Sequence, residues 1–132
     1  MADIEVTSSC AEGYAVDSDI DGDWDLVVDA ANDEGPTAQQ VLAANYASCY
    51  VPALRVAGQQ RGYDDLGAIE VAVDAALDED DDLAGVAFDV SVEADVSGDE
   101  AELVERGKDI CHVESALQDD LSADVTLNGT DA

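Results

Sequence analysis

Gly35-Pro36-Thr37-Ala38-Gln39-Gln40-Val41-Leu42-Ala43-Ala44-Asn45-Tyr46-Ala47-Ser48-Cys49-Tyr50 is the stretch at which the pattern of this chain changes. From here Val41, Leu42, Asn45, Tyr46, Cys49, Tyr50, Ala53, Leu54 and Ala57 recur at helical spacing, so one face of a long helix gathers them. Thr37 carries the hydroxyl expected of its N-cap. Pro52 lies inside the pattern and lacks an N–H, so it is expected to kink or divide the helix just past Cys49.

Upstream the period is two. Ile4, Val6 and Ser8 alternate, then Tyr14 and Val16, then Trp24, Leu26 and Val28, which predicts two or three short antiparallel strands. Downstream, Ile69, Val71, Val73, Ala75 and Leu77 share one face of a strand within residues 66–77. Its partner runs over 86–96, with Val86, Phe88, Val90, Val92 and Ala94 inward, and the acidic run Asp78-Glu79-Asp80-Asp81-Asp82 makes a solvated turn between them. Ser97 and Glu100 have capping-box spacing and predict a second helix with Leu103, Val104, Ile110, Cys111 and Leu117 on its apolar stripe. A last short strand is expected at 123–127. The order β-β-β-α-β-β-α-β describes an α+β fold, and residues 1–132 suffice for a single domain.

Charge narrows the function classes. Thirty-three acidic residues stand against four basic ones, a net charge of −29. Self-repulsion on that scale calls for salt, and at molar ionic strength the Debye length shrinks to about 3 Å. The composition therefore suits the cytoplasm of an extreme halophile. Nucleic acid and anionic membranes are excluded as partners, because counterion release needs Lys and Arg. No basic start with an apolar run and no apolar stretch of spanning length is present, so neither a signal segment nor a membrane span is expected.

The three cysteines, Cys10, Cys49 and Cys111, form no CxxC pair and are too few for a secreted disulfide framework. Cys49 and Cys111 each fall on a helix stripe expected to face the core. Periodicity alone leaves three readings open: small buried hydrophobes, a redox pair, or ligands of a metal site. With a single histidine, His112, zinc lacks ligands and no metal or cofactor is expected.

Residues 35–50 closely resemble a segment of the OsmC/Ohr family, the osmotically inducible and organic-hydroperoxide-resistance proteins, that reads roughly G-x-x-P-E-E-L-L-x-A-A-x-A-x-C-F. Gly107-Lys108-Asp109-Ile110-Cys111-His112-Val113-Glu114-Ser115-Ala116-Leu117 is similar to the family's second motif, around C-P-V-S-x-x-L. With the strands between and after these motifs, the resemblance spans about residues 35–128. It implies an OsmC-like fold, antiparallel sheets with two core helices in an intertwined homodimer, and a thiol-dependent peroxidase that reduces organic hydroperoxides. By the same resemblance Cys49 would attack the peroxide and become a sulfenic acid, Cys111 would resolve it as a disulfide, and a dithiol would reduce that disulfide. A resolving thiol fits the chemistry, since sulfenic acid is recovered only if trapped before further oxidation.

The chain departs from the family at the groups that activate the first cysteine. The family's glutamate positions are occupied by Gln39 and Gln40, and no Arg or Lys precedes Arg55, where the family has an arginine in its N-terminal strand region. Arg55, Arg61, Arg106, Lys108 and His112 all fall in or beside the two cysteine segments. Lys108, a turn before Cys111, is the best-placed cation to support a thiolate. An alternative has Arg55 and Arg61 answering a helix dipole and Arg106 pairing with Glu102. Tyr46, Tyr50, Val51 and Leu54 are the expected apolar wall for a peroxide tail. If activation is lost, the alternative is a non-catalytic family member that binds an apolar small molecule or has a structural role.

Two smaller signals stand apart. Asp17-Ser18-Asp19-Ile20-Asp21-Gly22-Asp23-Trp24-Asp25 copies half a calcium loop but closes on Val28, so it reads as a hydrated hairpin or a weak cation site. Cys10 has no counterpart in the resemblance and is expected to be a bystander.

Overall fold

A computed structural model describes residues 3–130. Their elements are β1 (Val6–Ser9), β2 (Ala15–Ile20), β3 (Trp24–Asp29), α1 (Ala38–Arg61), β4 (Ile69–Leu77), β5 (Leu83–Val92), α2 (Glu100–Ile110), α3 (His112–Ala116), a 3-10 turn (Asp119–Leu121) and β6 (Asp124–Asn128). The chain divides into two compact units, Met1–Leu42 and Ala43–Ala132.

The first unit is an antiparallel sheet in the order β1-β2-β3. Asp21 and Gly22, with φ of 54° and 76°, turn the chain between β2 and β3 and pair Ile20 with Trp24. The calcium-like motif is thus a hairpin with its carboxylates on strands and turn. Asp29, 3% exposed, ends β3 and accepts from the N–H groups of Ala31 (2.9 Å) and Glu34 (3.0 Å). The Glu34 and Ala31 amides hold its carboxyl below the usual range against the opposing effect of burial. Thr37 caps α1 as expected, and Gln40 completes a capping box. Gln40 N–H donates to Thr37 Oγ1 (3.2 Å) and Thr37 N–H to Gln40 Oε1 (2.9 Å).

The second unit is a sheet in the order β4-β5-β6 with the helices packed on it. β4 and β5 form the expected hairpin, whose acidic turn is organised by Asp78 Oδ1 accepting from Asp80 (2.9 Å) and Asp82 (3.0 Å). Burial along β4 fades after Val73, so Ala75 and Leu77 are exposed where an inward face was expected. β6 pairs with β5 in parallel, not antiparallel as the other strands do. A parallel neighbour cannot be reached by a hairpin, and α2, α3 and the 3-10 turn supply the crossover.

α1 runs unbroken through Pro52, so of the two expected outcomes, a kink or a division, the division does not occur. Proline forgoes one hydrogen bond, while burial of Tyr50, Ala53, Leu54 and Ala57 on both sides of it keeps the segment on the sheet. The capping box expected at Ser97 is also corrected. Ser97 Oγ turns back to Asp95 (2.6 Å), and the N-cap of α2 is Asp99, whose carboxylate accepts instead from Tyr63 Oη (2.6 Å) and Arg61 (3.0 Å).

Gly107 brings α2 against the α1 face: a Cβ there would lie 3.1 Å from Cε1 of Tyr50. Gly107→Val is expected to lower unfolding stability by about 1–3 kcal/mol, the usual cost of overpacking. Urea denaturation in molar KCl measures it, and an unchanged midpoint would show that this helix contact is loose.

Candidate active site: a thiol pair at a helix junction

Cys49 projects half-buried from α1, and Cys111 is 0% exposed at the junction of α2 and α3. The two thiols stand close enough for each to shift the ionisation of the other. The structure therefore brings together the two cysteines singled out by periodicity, by a local geometry that differs from the expected one. Cys111 is not on a continuous helical stripe. Its φ and ψ of −67° and 116° are extended, so it ends α2, with its N–H donating to Gly107 O, and begins α3. Its Sγ accepts from Glu114 N–H at 3.4 Å, the bond an N-cap side chain makes.

The junction also acts on the ionisation of both thiols. Burial pushes the Cys49 thiol up, but the N–H of Val113, the Cys111 thiol and the N–H of His112 more than offset it, and Cys49 lies below the ordinary thiol value. Cys111 moves the other way. Burial raises it, opposed by the Glu114 N–H, and a charge on Cys49 raises it further. One thiol is thus disposed to ionise and its partner to keep the proton and donate.

Beside Cys111 lies a partly buried polar chain that the sequence reading missed. Tyr46 Oη donates to Glu114 Oε1 (3.0 Å), Ser122 Oγ donates to the same oxygen (2.6 Å), and Ala123 N–H donates to Tyr46 Oη (2.9 Å). The one available signal was the Cys111-x-x-Glu114 spacing, which matches N-cap and N3 positions.

Several expected roles are corrected by placement. Lys108 Nζ lies 3.3 Å from Ser122 Oγ and serves this polar chain, while backbone N–H groups stabilise Cys49. Gln40 is occupied by the cap of α1, and Gln39 sits half-buried in its first turn. Tyr46, Tyr50 and Leu54 form no open wall: all three are at most 1% exposed and belong to the core, where the tyrosine rings pack on Phe88 at 4.7 and 5.5 Å. Val51 alone of that set is half-buried. Clefts around Arg55 and Tyr63, and around Arg61 and Arg106, contain neither cysteine.

The arginines tie α1 to its neighbours. Arg55 meets Asp65 (3.2 Å), Arg61 meets Asp99 (3.0 Å) and Glu102 (2.6 Å), and Arg106 meets Gln60 (2.7 Å) instead of the expected Glu102. His112 opens α3 with an exposed side chain. Cys10 is exposed in the first unit, with its thiol on the carbonyls of Gly13 (3.4 Å) and Glu12 (3.6 Å). Among the described residues, the group of three acidic side chains close enough to share an ion is Asp78, Asp80 and Asp82, not the Asp17 to Asp25 motif. No helix of the described residues is long and apolar enough to cross a membrane.

Comparison with known proteins agrees with this architecture. The family model described as OsmC-like protein matches residues 31–126. An uncharacterized protein of Haloferax volcanii is 49% identical over 130 residues, 98% of each chain. Among solved structures, an OsmC-like protein from Mycoplasma pneumoniae superposes with a TM-score of 0.82 at 12% identity, covering 98% of this chain and 99% of that one. The organic hydroperoxide resistance protein OhrB of Bacillus subtilis superposes at 0.66 with 27% identity, covering 96% and 97%. With the family model covering both cysteine segments and the fold shared along the whole chain, this protein belongs to the OsmC-like family.

Proposed function

We propose that this protein is a thiol peroxidase that reduces organic hydroperoxides through Cys49 and Cys111. The observation that carries the reading is the thiol pair itself, with Cys49 drawn down by N–H donors and Cys111 held up beside it. The Cys49 thiolate attacks one peroxide oxygen and breaks the O–O bond. With one proton taken up, the products are an alcohol and Cys49 sulfenic acid. Cys111 then displaces hydroxide from that sulfur, the thiol proton joins it as water, and a disulfide forms. A dithiol returns two electrons and two protons. Sulfur carries every step, so no metal or cofactor enters. The name of the Bacillus subtilis relative, an organic hydroperoxide resistance protein, supports the substrate class.

In this reading the whole chain acts as one domain and works as a homodimer. Val6 and Trp24 are exposed on one face of the first unit's sheet, both paired with Ile20, apolar surface of the kind a second copy would cover. The net charge of −29 supports a halophilic, salt-filled cytoplasm, whose reducing state keeps the thiols free. Gln39, Gln40 and the absence of a cation before Arg55 favour a second reading, a non-catalytic family member that binds an apolar small molecule or has a structural role.

Peptide mass spectrometry after treatment with an organic hydroperoxide in molar KCl separates the two. A Cys49–Cys111 disulfide is expected, with turnover lost in Cys49→Ser and kept in Cys10→Ser; equal loss in both variants, or no disulfide, would defeat the peroxidase. The pH dependence supplies a second check. Because the Cys49 pKa is lowered, its rate with iodoacetamide should be at plateau above, and fall as pH drops through, a midpoint below that of Cys49 in the unfolded chain. Cys111→Ala removes a donor to the thiolate, so the midpoint should rise; a midpoint that stays or falls contradicts the hydrogen bond as a cause of activation.

A further inference from the structure

Two rungs join α1 to the turn that begins α3. Cys49 and Tyr46 are three residues apart on α1, and Cys111 and Glu114 are three apart across the junction. Cys49 meets Cys111, and Tyr46 Oη meets Glu114 Oε1 at 3.0 Å. We infer that Tyr46 and Glu114 are positioning residues, a latch that sets the approach of the two sulfurs and so governs both disulfide closure and the amide cradle around Cys49. The inference rests on the thiol pair of the proposed peroxidase and assigns the groups that place it.

The argument starts from what α3 lacks. It has five residues, none of them fully buried, and a single turn of helix with one half-buried apolar side chain, Val113, is weakly held by packing alone. Yet its first amides and Cys111 must be held at Cys49. Val113 lends α3 one half-buried apolar contact with the core, and Glu114 supplies its polar tie: Oε1 accepts from groups in two other segments, Tyr46 of α1 and Ser122 ahead of β6. Tyr46 is itself fixed: its ring is 1% exposed and packs on Phe88, and its oxygen accepts from Ala123 N–H at 2.9 Å. Burial, with the Glu114 charge also acting upward against the Ala123 N–H, raises the phenol to about 12, so it remains a donor at working pH. The same Glu114 donates its N–H to Cys111 Sγ at 3.4 Å, so displacing its side chain displaces a ligand of the sulfur. Lys108 Nζ, on Ser122 Oγ, extends the chain back to α2.

The test uses the full-length protein in molar KCl. Diamide, which takes two electrons and two protons from a thiol pair, measures closure without any peroxide. Tyr46→Phe keeps the ring on Phe88 and removes the donor; Glu114→Ala removes the acceptor and leaves the bond from Ala123. Each should slow diamide-driven closure by about fivefold or more, the worth of one buried hydrogen bond, and raise the pH midpoint of Cys49 alkylation. Glu114→Gln retains an acceptor oxygen and should fall between Glu114→Ala and the native protein on both readouts, a graded rescue that general loosening would not produce. Should Tyr46→Phe not fold, Ser122→Ala removes the 2.6 Å bond to the same oxygen and carries the same expectation. Native rates and midpoints in folded Glu114→Ala and in folded Tyr46→Phe, or in Ser122→Ala standing in for it, would overturn the latch. If hydroperoxide yields no disulfide in the native protein while diamide closes it and the variants lag, the peroxidase reading falls and the latch stands.

Discussion

Phe88 of the central strand β5 holds two tyrosines of α1, Tyr46 edge-on at 4.7 Å and Tyr50 at 5.5 Å, and this aromatic contact fixes where α1 lies on its sheet. The consequences run outward from it. With Tyr50 seated, α2 can approach only where a residue has no side chain, which is Gly107. With α2 placed, its C-terminal end delivers Cys111 to the α1 residue one turn beyond Tyr46, which is Cys49. A core contact between bulky rings thus sets the separation of two sulfurs, because a close-packed interior transmits position with little slack.

The charge economy explains the chemistry of the pair. A chain with four cationic side chains and thirty-three acidic ones has little positive charge to commit to a thiolate. Its three arginines are engaged with Asp65, with Asp99 and Glu102, and with Gln60, holding α1 to neighbouring segments. Its lysine engages Ser122. Cys49 draws instead on backbone N–H groups and on a thiol, donors that exist whatever the surface composition. Such donors are positioned by the fold and act at hydrogen-bond range, so molar salt screens them less than it would screen a charge acting across a Debye length.

Much of the fold was legible because it rests on local repeat. The apolar periods of α1 and β5, the hydroxyl of Thr37 before α1 and the acidic turn after β4 depend on residues near one another in the chain, and the structure keeps them. The miscast details have non-local causes. Ser97 yields to Asp99, whose carboxylate is held by Arg61 at the end of α1 and Tyr63 just beyond it. Pro52 failed to divide α1 because the sheet buries residues on both sides of it. Tyr46 and Tyr50 looked like a pocket wall because a helical stripe shows that a face is covered and is silent about what covers it.

By itself the sequence determined the α+β order, the acidic surface and the identity of the two cysteines, since periodicity, charge and motif spacing are written residue by residue. Tertiary structure alone decided that Cys111 breaks a helix instead of riding on one, that Lys108 reaches Ser122, and that Tyr46 reaches Glu114 across 68 positions of chain. The physical reason is that a backbone donor or a buried phenol acquires its partner only when segments distant in sequence pack together. No composition or period records that encounter in advance.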